Sequence, residues 1–168
     1  IAILLTNFLG DDLTDFDTII YATDINEQAL ARARSGVYSL EQVKNLPENI
    51  LEKYFTRCNQ GYIASNHIRQ MVNFTYYDLV SGTCPPFVNL DCIFCCNILI
   101  YLQRQPQERL LHMLYDSLAT PGYLVLGEVE TPPSDFHEKV ECLDSKARIY
   151  RKEEAKGKER LTHVDQST

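Results

Sequence analysis

Three polar residues stand at the ends of apolar segments, where a side chain can do chemistry. Asp24 follows "IIYAT", Asp78 follows "FTYY", and Asn97 follows "DCIFCC". One carboxylate can accept hydrogen bonds from both hydroxyls of a ribose diol, and another can accept from an adenine amino group. Each residue also has a purely structural explanation: Asp24 as a helix cap, Asp78 in an Asx turn, and Asn97 bonded to loop backbone. Three such residues at equivalent positions favour a site for an adenosine-type ligand.

The segments before these polar residues have the pattern of buried strands that alternate with helices. Residues 17–25 and 90–99, and the segment "MVNFTYYDL", are rich in β-branched, aromatic and aliphatic residues. Between them, "NEQALARARSGVY" predicts a helix with Asn26 as N-cap and Gly36 as C-terminal stop. Apolar strands separated by helices indicate a doubly wound parallel sheet, so we predict the α/β class. In such sheets ligands bind at the carboxyl ends of the strands, where the three polar residues stand.

Turn and helix signals predict the remaining elements. "IAILLTNFLGD" is typical of a helix, and "SLEQVKNLPENILEKYF" predicts short helices interrupted at Pro47. Residues 59–61 carry a hairpin signal. "QPQERLLHMLYDSLA" predicts a helix, followed by a turn at Pro121 and Gly122 and the strand "YLVLGEV".

Composition limits the class of protein. The 168 residues are enough for one core, so we expect one domain. A net charge of −7 disfavours nucleic acid as a partner, although basic residues interleaved with acids gather near the end of the chain. The sequence contains no apolar stretch of about 18 residues, so we expect no insertion into a membrane. Six cysteines without framework spacing indicate a reducing compartment, and we expect the cytoplasm. Nothing in the sequence indicates an oligomeric state.

Two adjacent cysteines interrupt the apolar run "FCCNILIYL". With the strand period of two, Cys92 and Cys96 face one side and Cys95 faces the other, so three sulfurs cannot meet at one metal. No second Cys-x-x-Cys or His pair completes a zinc site. We therefore predict no metal, and we expect these cysteines to behave as small buried hydrophobic residues.

Six segments, taken in order, resemble a known family. They are "ATDINEQALARARSGVYS", "LEKYF", "IRQMVNFTYYDL", "FCCNILIYL", "LATPGYLVLGEVE" and "IYRK". Together they are similar to the S-adenosylmethionine-binding domain of the chemotaxis receptor methyltransferases, the CheR family, over residues 1–152. The resemblance implies a class I methyltransferase sheet, which is Rossmann-like, with a small antiparallel β subdomain inserted at about residues 53–66. Residues 153–168 would then form a charged C-terminal tail.

The resemblance also implies an activity and a set of site residues. The activity is methyl transfer from S-adenosylmethionine to glutamate side chains in the cytoplasmic domain of chemoreceptors, with S-adenosylhomocysteine as product. The implied cofactor contacts are Asp24 and Ile25 at the ribose, Asp78 and Leu79 along the adenine, and Asn97 and Ile98 at the methionine portion. Tyr101 would face the entering glutamate; a core tyrosine that donates to a backbone carbonyl is the alternative.

The chain departs from the family pattern at several points. Cys96 stands where the family has arginine, Glu128 where it commonly has histidine, and Asp78 where it more often has asparagine. The family's glycine-rich loop should precede "IAILLTNFL", so we expect an N-terminally truncated domain that lacks its first strand and binds cofactor weakly by itself. Two other functions stay open: a non-catalytic methyltransferase-like binding module, and a class I methyltransferase for a small molecule.

Overall fold

The structure is a computed structural model that describes residues 1–81 and 85–153. The chain divides into two compact units, of which the first is Ile1–Asp78 and the second begins at Leu79. Each unit has its own cluster of buried apolar residues. The predicted charged tail lies outside the described residues, apart from Glu153.

The first unit combines a parallel strand pair with a separate antiparallel sheet. Its helices are α1 (Ala2–Leu9), α2 (Glu27–Ser35), α3 (Leu40–Val43), α4 (Glu48–Tyr54) and α5 (Asn66–Gln70), and a 3₁₀ helix spans Gly10–Asp15. Its strands are β1 (Ile20–Asp24), β2 (Val37–Tyr38), β3 (Phe55–Cys58), β4 (Gly61–Ala64) and β5 (Val72–Tyr76). Strand β1 pairs in parallel with β5, and the antiparallel sheet has the order β2-β4-β3.

Helix α2 begins and ends where the sequence predicts. The Asn26 side chain accepts hydrogen bonds from the backbone N–H groups of Gln28 and Ala29, which satisfies two donors of the first turn. Gly36 ends the helix in the left-handed region with φ of 64°. Because the cap lies two residues after β1, it also fixes the course of the loop that follows the strand.

The predicted hairpin is formed by β3 and β4, which two residues join. Gly61 opens β4 with φ of 131°, and a Cβ there would lie 2.2 Å from the Tyr38 carbonyl oxygen. Only glycine therefore permits the close approach of β4 to β2 at this point. The hairpin lies within residues 53–66, and β2 adds a strand from earlier in the chain. That this sheet is an inserted subdomain stays a prediction.

The second unit is a four-stranded mixed sheet with helices packed on it. It contains β6 (Leu90–Cys95), a 3₁₀ turn at Leu99–Tyr101, α6 (Arg104–Ser117), β7 (Leu118–Leu126), α7 (Ser134–His137), β8 (Val140–Asp144) and β9 (Ile149–Lys152). The strand order is β6-β7-β9-β8, with β6 and β7 parallel and the other neighbours antiparallel. Leu111 of α6 and Leu124 of β7 are fully buried at the centre of its core.

Pro121 and Gly122 lie inside β7, so the prediction that the strand begins only after them is wrong; the chain does fold back here, since a Cβ at Gly122 would lie 2.6 Å from the Ala119 carbonyl oxygen. The register between β6 and β7 shifts from Leu90 opposite Leu118 to Cys92 opposite Tyr123, so the extra residues bulge out of the ladder. Proline has no N–H to give to the ladder, and this explains why the bulge falls there. The strand therefore starts before the Pro-Gly pair and continues after it.

The predicted alternation of the cysteines on β6 is confirmed, but their burial is only partly as expected. Cys95 is 2% exposed and packs in the core. Cys92 and Cys96 are exposed, so the expectation that all three are buried is wrong. Phe94 shares the Cys92 face and is 53% exposed, which shows that this face of the strand is open.

Among residues 1–81 and 85–153, every helix is too short or too polar to span a lipid bilayer.

Candidate functional site

In the first unit, the structure places Asp24 and Asp78 at the same edge of a parallel strand pair. Asp24 is the last residue of β1 and lies opposite Tyr76, the last residue of β5. The Tyr77 N–H donates to the Asp24 carbonyl oxygen at 3.2 Å, so the two chains are still side by side as they leave the sheet. Asp78 is the next residue. Two carboxylates thus stand at neighbouring carboxyl ends, as the sequence predicts.

One oxygen of the Asp24 carboxylate is hydrogen-bonded to the following loop, and the other can accept a hydrogen bond from a ligand. Its Oδ1 accepts from the Asn26 backbone N–H at 2.8 Å. Its other oxygen has no hydrogen-bond or ionic partner among the described residues, and the side chain is exposed. Ile25 beside it is 62% exposed. Asp78 is half-buried. This arrangement suits a carboxylate that accepts from a diol, with an apolar neighbour against the ligand.

In the second unit, the chain leaves β6 through a tight turn at Asn97. Asn97 has φ of 60°, in the left-handed region that asparagine tolerates better than most residues. Its side chain is exposed and makes no hydrogen bond to a described residue. Ile98 packs against the core, and the 3₁₀ turn that follows ends at Tyr101, which is 81% exposed. The turn therefore combines a polar amide, an anchored aliphatic residue and an exposed phenol.

Glu130 holds this turn, and it is a residue that the sequence reasoning missed. It is only 2% exposed, and its carboxylate accepts three backbone N–H groups. Oε2 accepts from Asn97 at 2.9 Å and from Gly127 at 2.7 Å, and Oε1 accepts from Leu99 at 2.7 Å. Hydrogen bonds of this kind let a carboxylate remain inside a protein. The sequence pattern singles out the nearby Glu128 instead, and this residue is exposed.

Gly127 makes room for this contact. A Cβ at residue 127 would lie 2.7 Å from Glu130 Oε2 and 2.9 Å from Asn97 Oδ1. Both distances are shorter than a carbon atom tolerates, so a larger residue would push the carboxylate or the asparagine away. The glycine in "GEVE" was the available sequence signal for a close approach here.

Leu79, the remaining predicted cofactor residue, lies at the start of the second unit. Its half-buried side chain packs against the core and borders a groove of about 450 Å³. Apolar residues of this groove include Leu102, Leu110 and Met113. The predicted residues thus fall into two groups: Asp24, Ile25 and Asp78 in the first unit, and Leu79, Asn97, Ile98 and Tyr101 in the second.

The cysteines of β6 do not form a reactive centre. Burial raises the pKa of the Cys95 thiol to about 12, and the Glu130 carboxylate and Cys96 add to the shift. The pKa of the Cys96 thiol is raised as well, first by its partial burial and then by the nearby Glu130 carboxylate. Thiols with raised pKa values are poor nucleophiles and poor metal ligands at neutral pH. Within the described ranges, no group of three or more His, Cys, Asp or Glu side chains could hold a metal ion.

The chemistry of these side chains fits S-adenosylmethionine. Asp24 offers an unpaired carboxylate oxygen for ribose hydroxyls, and Asn97 offers an unpaired amide for a polar group. Both stand at carboxyl ends of parallel strands, where class I sheets bind nucleotides.

Residues 1–149 match the family described as "CheR methyltransferase, SAM binding domain". This match covers most of the chain and confirms the predicted class I methyltransferase fold, with its Rossmann-like sheet, within the α/β class.

Curated relatives agree with this match. The chain is 33% identical over 144 residues to Cher3 of Pseudomonas putida, across 80% of this chain and 52% of that protein. It is 36% identical to chemotaxis protein methyltransferase 2 of Vibrio cholerae, across 71% and 42% of the two chains. It is 34% identical to the chemotaxis protein methyltransferase of Escherichia coli, across 66% and 40%. The chain thus spans about half the length of the curated relatives it matches, and it belongs to the CheR methyltransferase family through its SAM-binding domain.

Proposed function

We propose that the protein containing this chain transfers a methyl group from S-adenosylmethionine to glutamate side chains of chemotaxis receptors. The observation that carries the proposal is the position of Asp24: its carboxylate stands at the end of β1, within the residues that match the family, and has one unpaired oxygen. The names of the relatives from Vibrio cholerae and Escherichia coli support the receptor methylation. The substrate would be the cytoplasmic domain of a receptor, and the proposed location is therefore the cytoplasm.

The proposed cofactor contacts are the ones that the family resemblance implies. Asp24 accepts hydrogen bonds from the two ribose hydroxyls, and Ile25 covers the sugar. Asp78 and Leu79 lie along the adenine. Asn97 and Ile98 meet the methionine portion. When bound, the cofactor supplies an electrophilic methyl group on a positively charged sulfur.

The proposed reaction needs no general base. A glutamate side chain has a reference pKa of about 4.3 and is already an ionised nucleophile at neutral pH. The protein's tasks are to align the carboxylate oxygen with the methyl carbon and to remove water from the carboxylate as it enters. The exposed Tyr101 hydroxyl is suited to donate a hydrogen bond to that carboxylate and to orient it. Tyr101 would therefore act by positioning the substrate rather than by moving a proton.

Transfer of labelled methyl groups tests this function. The protein expressed from its complete gene is incubated with radiolabelled S-adenosylmethionine and a receptor cytoplasmic domain, and base-labile label on the receptor is counted. We expect label on the wild-type receptor and none on a receptor whose modified glutamates are replaced by alanine. Tyr101→Phe should lower the rate at saturating cofactor by about tenfold, because the orienting hydrogen bond is lost. Label that enters a small-molecule pool but never the receptor would contradict the proposed substrate.

One observation favours a second function, that of a non-catalytic binding module. Cys96 stands where the family pattern has an arginine. This exposed thiol cannot supply the paired hydrogen-bond donors of a guanidinium group. A module of this kind would bind S-adenosylhomocysteine without transferring methyl groups. Cys96→Arg separates the two functions: a gain of transfer in an otherwise inactive protein would support the module.

A further inference from the structure

Glu130 is an acid buried in the core of the second unit without an ionic partner among the described residues. Its three hydrogen bonds come from backbone N–H groups at two places in the chain, Gly127 beside it and the turn after β6. The Glu130 N–H in turn donates to the Gly127 carbonyl oxygen at 2.9 Å. The carboxylate is therefore a fixed link between the end of β7 and the end of β6.

The link acts on the backbone at both sides of Ile98. Asn97 is held in the left-handed region, which is less favourable for an L-residue and is kept by support from its surroundings. Glu130 supplies that support, because one of its oxygens binds the Asn97 N–H and the other binds the Leu99 N–H. The turn residues therefore have little freedom even before a ligand arrives.

The side chain of Asn97 is not used in this link. It is exposed, it bonds to no described residue, and its Oδ1 lies against Gly127. A buried acid that binds only the backbone of a turn leaves the turn's side chains for other partners. Preorganised groups of this kind lower the entropy that a ligand must overcome on binding.

We propose that Glu130 is a positioning residue that sets Asn97 and Ile98 for the methionine portion of the cofactor. The inference rests on the proposed function, since it assigns these two residues to S-adenosylmethionine. Glu130 itself touches no ligand and acts through the backbone of the turn.

A double-mutant cycle on the protein expressed from its complete gene tests the role. S-adenosylhomocysteine is titrated by calorimetry into the wild type, Glu130→Gln, Asn97→Ala and the double variant. In Glu130→Gln, an amide NH₂ group replaces one of the two acceptor oxygens. This NH₂ group then faces a backbone N–H group, and two donors cannot form a hydrogen bond with each other. We expect Glu130→Gln to weaken binding about tenfold when Asn97 is present and by a clearly smaller factor when Asn97 is already alanine, because only the positioning of Ile98 is then lost. Glu138→Gln, at an exposed glutamate of the same unit, is the matched control and should bind as the wild type does.

A purely structural role gives a different pattern. Glu130→Gln would then lower the unfolding temperature but weaken binding by the same factor with and without Asn97, and this result would overturn the proposal. If the wild type binds no S-adenosylhomocysteine, the proposed function fails first and the inference fails with it. If the wild type binds and folded Glu130→Gln binds equally well, only the inference fails.

Amide hydrogen exchange of the cofactor-free wild type covers the case in which Glu130→Gln does not fold. We expect the Asn97 and Leu99 amides to be protected, because Glu130 already accepts both N–H groups. Free exchange of these amides until cofactor is added would overturn the proposal.

Discussion

At the residue scale, the second unit depends on a contact between residues about 30 positions apart. Glu130 binds the turn at Asn97, and Gly127 leaves the space for both. The side chains that the turn exposes are thus separate from the groups that hold the turn. This separation makes the two roles testable one residue at a time.

Gly127→Ala should destabilise the second unit by about 1 to 3 kcal/mol. Its Cβ would lie 2.7 Å from Glu130 Oε2, so the carboxylate must move and its hydrogen bonds weaken. The free energy of unfolding in urea measures the loss. Val129→Ala, at a 73% exposed position in the same loop, is the control and should change stability little. Equal stability of Gly127→Ala and the wild type would contradict the contact.

The Cys95 thiol should resist alkylation in the folded protein. Burial raises its pKa to about 12, so at pH 8 only about one thiol in ten thousand is ionised, and the side chain is 2% exposed. Iodoacetamide labelling at pH 8, read site by site by mass spectrometry, should modify the exposed Cys142 readily and Cys95 only after unfolding in guanidinium. Labelling of Cys95 at the rate of Cys142 in the folded protein would show that the strand is not packed as described.

At this scale, a contact can be predicted from the sequence only when the interacting residues lie close together along the chain. The positions of Asp24 and Asn26 follow from local patterns, because Asp24 ends an apolar strand segment and Asn26 is a typical N-cap of the next helix. Glu130 cannot be read in this way, because its partners become visible only when β6 and β7 pair. The cysteine alternation follows from strand geometry, whereas exposure of Cys92 depends on what covers that face of the sheet.

At the element scale, Lys152 of β9 closes the end of α6. Its Nζ donates to the carbonyl oxygens of Tyr115 and Leu118, both at 2.8 Å, and lies 4.5 Å from the centre of the Tyr115 ring. The last carbonyl groups of a helix have no partner in the helix, and a positive charge there is favourable. The short segment "IYRK" thus supplies both a sheet strand and a helix cap.

Lys152→Met should lower the free energy of unfolding by about 1 to 3 kcal/mol. The variant keeps the apolar stem but removes two charged hydrogen bonds and the cation over the ring. Lys146→Met, at an exposed position between β8 and β9, is the matched control and should have a much smaller effect. Urea unfolding of both variants measures the difference, and equal losses would argue against a cap on α6.

Asn26→Ala should destabilise α2 by about 1 kcal/mol without disturbing Asp24. The side chain that caps the helix is lost, but the backbone N–H that binds Asp24 remains. Thermal unfolding should therefore show a lower midpoint, while affinity for S-adenosylhomocysteine stays close to wild type. A large loss of affinity would mean that the cap, rather than Asp24 itself, controls the site.

Elements with local signals are predicted well, and the error at the start of β7 has a physical reason. Helix α2 and the β3–β4 hairpin carry their caps and turns in the sequence, and both are confirmed. The Pro-Gly pair in β7 has the same local signal as a turn, but the ladder with β6 resumes after a bulge. A bulge and a turn differ in long-range pairing, which local patterns do not contain.

At the scale of the whole molecule, the parallel pairs occur in separate sheets. β1 pairs with β5, and β6 pairs with β7; among the strands of residues 1–81 and 85–153, neither β1 nor β6 pairs on its other edge. The expectation of a truncated domain stays a prediction. If it holds, the 168-residue chain alone should bind S-adenosylhomocysteine more weakly than the product of the complete gene, because the strands that carry the predicted site residues lack a pairing partner on one edge.

The most direct test of the cofactor site is calorimetric titration of S-adenosylhomocysteine into the protein expressed from its complete gene. Wild type, Asp24→Asn and Asn26→Ala are compared. We predict that the wild type binds, that Asn26→Ala binds nearly as well, and that Asp24→Asn binds about 10- to 100-fold more weakly, because a charged acceptor for the ribose is lost. Absence of binding by the wild type, or equal binding by Asp24→Asn, would contradict the assignment of Asp24 and with it the proposed site.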